Sequence, residues 1–109
     1  MRVIFAPEVL IYFNALVDVL YEKGYFGFKD SAFNYVESLL DDVRDNLHLK
    51  VKISAPAYFK RYGQKLLYSV FKSSTATSWY VFYNVYDVDG EQVFLIKYIA
   101  NNHSIAKFL

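Results

Sequence analysis

The spacing of apolar residues changes period once along this chain, and that change sets the fold class. Up to Leu47, apolar side chains recur every three or four residues, as on one face of a helix. From Lys65 to Ala100 the chain consists instead of three runs rich in β-branched and aromatic residues, parted by polar turns. A short apolar run at 2–6 ends at Pro7, which predicts a first strand leading at once into a helix. Proline is suited to the first turn, because the N–H it lacks would find no partner there. Leu10, Phe13, Leu16, Val17, Leu20 and Tyr21 supply the apolar face up to Gly24. Residues 24–28, glycines interleaved with aromatics, read as a helix stop and a tight connection. Asp30 or Ser31 is expected to cap a second helix, with Phe33, Val36, Leu40, Val43 and Leu47 on its buried face. So short a link predicts an antiparallel helical hairpin.

Residues 48–64 have no clean period, and Ala57 to Tyr62 are expected to form a turn of helix. Strands are expected at Lys65 to Lys72, Trp79 to Tyr86 and Val93 to Ala100. Ser73 to Ser78 make one turn. Val88-Asp89-Gly90-Glu91 makes the other, with the Asp-Gly pair of a tight hairpin. The expectation is an α+β fold in a single domain, 1–109: a short N-terminal strand and an α-helical hairpin packed on a small antiparallel β-sheet. On the middle strand Trp79, Val81, Tyr83 and Val85 point one way and Tyr80, Phe82, Asn84 and Tyr86 the other. The hairpin can cover one face. The other must be packed, partly exposed, or reserved for a partner.

Composition excludes several classes. A chain of 109 residues without cysteine has no disulfide framework and no cysteine-ligated zinc. Its two histidines, His48 and His103, are too far apart in sequence to suggest a histidine-rich metal site. There is no glycine-rich phosphate loop, G-x-S-x-G or H-E-x-x-H, so no cofactor and no metal is expected. Asp87-Val88-Asp89-Gly90 starts like a calcium loop, but a strand follows where further ligands should stand. Pro7, Glu8, Asn14 and Asp18 interrupt the apolar stretch near the start, so neither a targeting signal nor a membrane span is expected. The reading is a soluble, cytoplasmic protein with no membrane partner.

The net charge of +1 conceals a segregation. Residues 1–49 sum to −4 and residues 50–109 to +5, and no acid stands between Asp45 and Asp87 although six bases do. Either an acidic helical half packs beside a basic sheet half, or the second half meets an anionic partner. Arg61, Lys65 and His103 are the candidates for chemistry: a histidine suits proton transfer near neutral pH, and a cation stabilises developing phosphate charge. The first and third strands of a meander run parallel. Lys65 and His103 therefore meet only if sheet order or curvature brings them together.

Several segments resemble a known family. Gly63-Gln64-Lys65-Leu66-Leu67-Tyr68-Ser69-Val70 is similar to the G-x-R-[LV]-x-Y-x-[VI] strand of the RelE/ParE superfamily, the toxins of bacterial type II toxin-antitoxin systems. Phe94-Leu95-Ile96-Lys97-Tyr98-Ile99 followed by Asn102-His103-Ser104 is similar to its closing strand and x-H-S ending, and Trp79-Tyr80-Val81-Phe82-Tyr83 resembles the short ParE-like branch. The resemblance implies a growth-inhibiting toxin held by a cognate antitoxin. Its target would be the ribosome and its mRNA, through ribosome-dependent cleavage, or DNA gyrase, since ParE-type members poison gyrase and lack the nuclease set. It places Lys65 at the phosphate-contacting arginine and His103 at the terminal catalytic position, with Lys50, Lys52 and Arg61 holding RNA phosphates. Lysine cannot make the bidentate contact of arginine, and no tyrosine follows His103. The alternative is a non-enzymatic protein-binding module that keeps the fold.

Overall fold

The period change marks the boundary between two layers of one α+β domain. The computed structural model describes residues 1–105 and 108–109. Strand β1 (Arg2–Phe5) leads into helix α1 (Pro7–Glu22), which turns back into α2 (Lys29–Asn46) and a 3-10 turn, Leu47–Leu49. A two-residue strand β2 (Ile53–Ser54) and a 3-10 segment Ala57–Tyr62 precede the meander β3 (Leu67–Lys72), β4 (Ser78–Val88) and β5 (Glu91–Asn101). A single helical turn, α3 (Asn102–Ile105), follows. Among the described residues no helix is long and apolar enough to cross a membrane.

The sheet has five strands in the order β1-β5-β4-β3-β2. It is mixed, which corrects the antiparallel sheet expected from the meander. β1 lies parallel to β5, with Val3 opposite Phe94 and Phe5 opposite Ile96. The helical hairpin works as a crossover that returns the chain to the sheet with β1 on the far edge. The second departure is β2, which pairs antiparallel with β3 at Ile53–Tyr68 and Ser54–Leu67. No periodicity announces a strand of two residues.

The helices bury a face rotated from the expected one. On α1 the buried residues are Val9, Phe13 and Leu16, while Leu10 and Tyr21 are exposed. On α2 they are Ala32, Val36, Leu39 and Val43, continuing to Leu47, while Leu40 packs at the margin and Phe33 is 51% exposed. Ala32 is fully buried, and its small side chain occupies a place in the packed layer that Phe33 would overfill. Neither Asp30 nor Ser31 caps α2. The helix begins at Lys29 with Phe28 in the cap position, so Asp30 falls inside the first turn, where its charge favours the positive helix end.

Both sheet faces carry a core. Against the helices pack Phe71, Trp79, Val81, Tyr83, Phe94, Ile96 and Ile99. On the opposite face Phe59, Leu66, Phe82, Ala100 and Ile105 form a second cluster beneath the 57–62 segment and α3. Strand β5 serves both faces through a bulge. Tyr98 pairs with Phe82 and Ile96 with Tyr83, leaving Lys97 as the extra residue. The bulge switches the helix-facing positions from Phe94 and Ile96 to Ile99.

Candidate functional site

Within the stretch without acids, the 57–62 segment folds over the second face of the sheet. Pro56 opens the 3-10 segment Ala57–Tyr62, whose inward residue, Phe59, is fully buried and stacks on Phe82 with ring centroids 4.4 Å apart. Phe59 anchors this segment. Tyr62 stacks on Tyr98 at 3.8 Å with an interplanar angle of 5°, and Tyr58 stacks on Phe108 at 3.7 Å. Of the face expected to need a cover, Phe82 is fully buried under Phe59, Tyr80 is half-buried beside Tyr68, and Tyr86 is exposed. Burial, and then the neighbouring Tyr62 phenol, push the Tyr98 phenol well above its ordinary range.

A groove of about 540 Å³ opens where this segment turns into β3. Its floor is apolar, with Pro56, Phe59, Leu66 and Leu67, and its polar rim is Ser54, Lys60, Gln64 and Lys65. Lys65 holds a left-handed backbone with φ 54°, unusual for lysine. The Asn84 side-chain amide on β4 pins that conformation by donating to the Gln64 carbonyl at 2.9 Å and the Lys65 carbonyl at 3.3 Å. Among the described residues the ion pairs join Met1 to Glu91, Lys29 to Asp18 and Arg44 to Asp41. Lys60 and Lys65 therefore present their charges to solvent and to any ligand in the groove.

The other candidates lie apart from it. Arg61 is next to Lys60 in sequence, but its guanidinium lies over the Tyr58 ring at 4.1 Å and its Nε donates to the Tyr58 carbonyl. Lys50 and Lys52 turn to the helix-facing side, their ammonium groups over Phe71 at 4.8 Å and Phe94 at 5.5 Å. His103 is at the far end of the sheet. Leu67 is level with Tyr83 and Ile96, whereas Phe71 is level with Trp79 and Asn101, so the length of β3 separates Lys65 from His103. Neither sheet order nor curvature brings the two together.

His103 belongs to a polar strap. Its Nε2 is 3.3 Å from Thr77 Oγ1, and its backbone N–H donates to Asn101 Oδ1. Asn102 completes the strap by accepting from the Ser78 N–H at 2.9 Å and donating to the Ala76 carbonyl. No group of three or more His, Asp or Glu side chains among the described residues is placed to hold a metal. Lys60, Gln64 and Asn84 were not singled out in the sequence. For Lys60 a signal existed, its place in the acid-free stretch, whereas the role of Asn84 depends on strand register. Comparison of the chain with family models, with curated proteins and with solved structures returned no match.

Proposed function

We propose that this chain is a growth-inhibiting toxin of the RelE/ParE kind that acts by gripping an anionic surface of its target in the Lys60–Lys65 groove, without a Lys65–His103 acid–base pair. The observation that carries this reading is the separation of those two residues: a general acid must come within hydrogen-bond reach of the group it serves. Two lysines that make no ion pair among the described residues, set over an apolar floor, suit binding. Support for the family reading comes from the element order, a strand and helical hairpin followed by a basic connection and a three-strand meander. On this reading the target is DNA gyrase rather than ribosome-bound mRNA, and a cognate antitoxin neutralises the protein.

The test is induced expression in a bacterial host without an antitoxin. Growth arrest with DNA breaks and a damage response is expected, retained by His103→Ala and lost in a Lys60→Glu/Lys65→Glu double variant. Normal growth with soluble, folded protein overturns the proposal. So does transcript cleavage that His103→Ala abolishes. A second reading, a non-enzymatic protein-binding module, is favoured by the half-buried, stacked Tyr62 and Tyr98 on the second face of the sheet, and predicts partner binding without growth arrest.

A further inference from the structure

The sheet ends at β2, and among the described residues no strand covers this edge. The Ala55 N–H donates to the Leu66 carbonyl at 2.9 Å, and the Val51 carbonyl accepts from the Ser69 hydroxyl at 2.8 Å. Odd-numbered positions thus turn their backbone groups toward β3. By the alternation of an antiparallel ladder, Lys52 and Ser54 turn theirs outward, toward solvent. Side chains alternate as well. Val51, 76% exposed, and Ile53 fall on one face, while Lys50 and Lys52 reach across the other toward Phe71 and Phe94.

We infer that the β2 edge is a docking site for an extended peptide strand of alternating acidic and apolar residues, which joins the sheet beside Lys52 and Ser54. The backbone groups supply hydrogen bonds, and the alternating side chains supply selectivity. Acidic residues of the added strand meet Lys50 and Lys52, and its apolar residues cover Val51 and Ile53. The charge argument fixes the occupant. Among the described residues neither Lys50 nor Lys52 makes an ion pair, so an anionic strand is attracted. A second copy offering its own β2 would set Lys50 and Lys52 against like charges, which destabilises cross-strand pairs. The inference stands on edge geometry and does not rest on the toxin reading.

The test uses a labelled synthetic peptide of about six residues, the usual strand length, alternating Glu with Val or Thr. The same peptide with Lys for Glu is one control, and a single-stranded oligouridylate of matched charge is the other. The Glu peptide should bind the full chain, more weakly as salt rises, and the Lys peptide should not. Binding should slow hydrogen exchange at the Lys52 and Ser54 amides. Ser54→Pro removes only an outward N–H, a change tolerated on an edge strand, and should abolish binding while the circular dichroism spectrum is kept. Lys50→Glu/Lys52→Glu should weaken binding about tenfold or more. If Ser54→Pro does not fold, the hydrogen-exchange pattern of the unaltered chain decides. Absence of Glu-peptide binding, binding that leaves both amides unprotected, or tighter oligouridylate binding indifferent to Ser54→Pro overturns the proposal.

Discussion

The hydroxyl of Tyr83 on β4 lies 2.7 Å from that of Ser69 on β3, inside the core, where both side chains are fully buried. Ser69 spends its single proton on the Val51 carbonyl at 2.8 Å, so Tyr83 donates to Ser69. This relay ties the approach to β2 into the middle of the sheet. Ser69→Ala leaves a buried phenol and a carbonyl without their partner and should cost about 1–3 kcal/mol. Tyr83→Phe removes one donor and leaves the Ser69–Val51 bond intact, and should cost about 0.5–1.5 kcal/mol. Urea unfolding of the two variants checks the order. Equal costs would mean that Val51 finds another donor.

Lys65 separates backbone strain from charge. Its φ of 54° costs an L-residue about 1–2 kcal/mol, of which glycine recovers part after its own entropy of ordering, about 0.5–1 kcal/mol. Lys65→Gly should therefore leave stability unchanged or raise it by about 0.5–1 kcal/mol, whereas Lys65→Ala keeps the strain and gains nothing. Both remove the groove cation. Growth arrest weakened equally in the two, with stability rising in one only, identifies the cation as the functional element. Arrest retained in both would remove Lys65 from target binding.

What could be read from the sequence depended on whether the determinant was local. The Asp89-Gly90 hairpin follows from two residues, and both adopt the positive φ that such a turn needs, 50° and 79°. The three meander strands and the 57–62 turn also appear close to where their residue types place them, although β3 begins at Leu67 and not at Lys65, which lies in the turn before it. Non-local contacts were out of reach. The parallel β1–β5 pairing depends on how the hairpin returns the chain, and the Lys97 bulge is one residue of register that no alternation rule marks. The helix faces were displaced because Ala32 and Leu39 pack inward where the spacing rule favoured Phe33 and Leu40. At the candidate groove, the charge segregation marked the stretch that supplies Lys60 and Lys65. It could not tell which lysines share a groove, since one residue of strand parity sends Lys52 to the opposite face from Val51 and Ile53.

Alkaline pH should expose the aromatic packing. Burial raises the phenols of Tyr12, Tyr83 and Tyr98 above the ordinary value of 10.0, and Tyr62 adds to the rise at Tyr98. A proton held more tightly in the folded state contributes stability that is fully present below the unfolded value and is lost as pH rises through the folded one. Stability should therefore be insensitive to these groups at neutral pH and should decline above pH 10. Tyrosinate absorbance should show a late fraction that appears together with unfolding. Tyr98→Phe should diminish that fraction, and an unchanged late fraction would place the raised phenols elsewhere.

The polar strap at the other end of the sheet predicts unequal effects for neighbouring residues. Asn102 accepts from the Ser78 N–H and donates to the Ala76 carbonyl, so its side chain fixes the turn between β3 and β4 from both sides. His103 adds one longer contact, 3.3 Å to Thr77, at an exposed position. Asn102→Ala should cost about 1–2 kcal/mol and speed hydrogen exchange at Ser78, because a part-buried donor loses its acceptor. His103→Ala should cost less than about 0.5 kcal/mol, as exposed contacts away from the core usually do. On the proposed mechanism His103→Ala also leaves growth arrest intact, so at this end of the sheet Asn102 matters to the fold and neither residue to target binding. If His103→Ala kept its stability and lost the arrest, His103 would instead be part of the site that meets the target, and the strap would be its support.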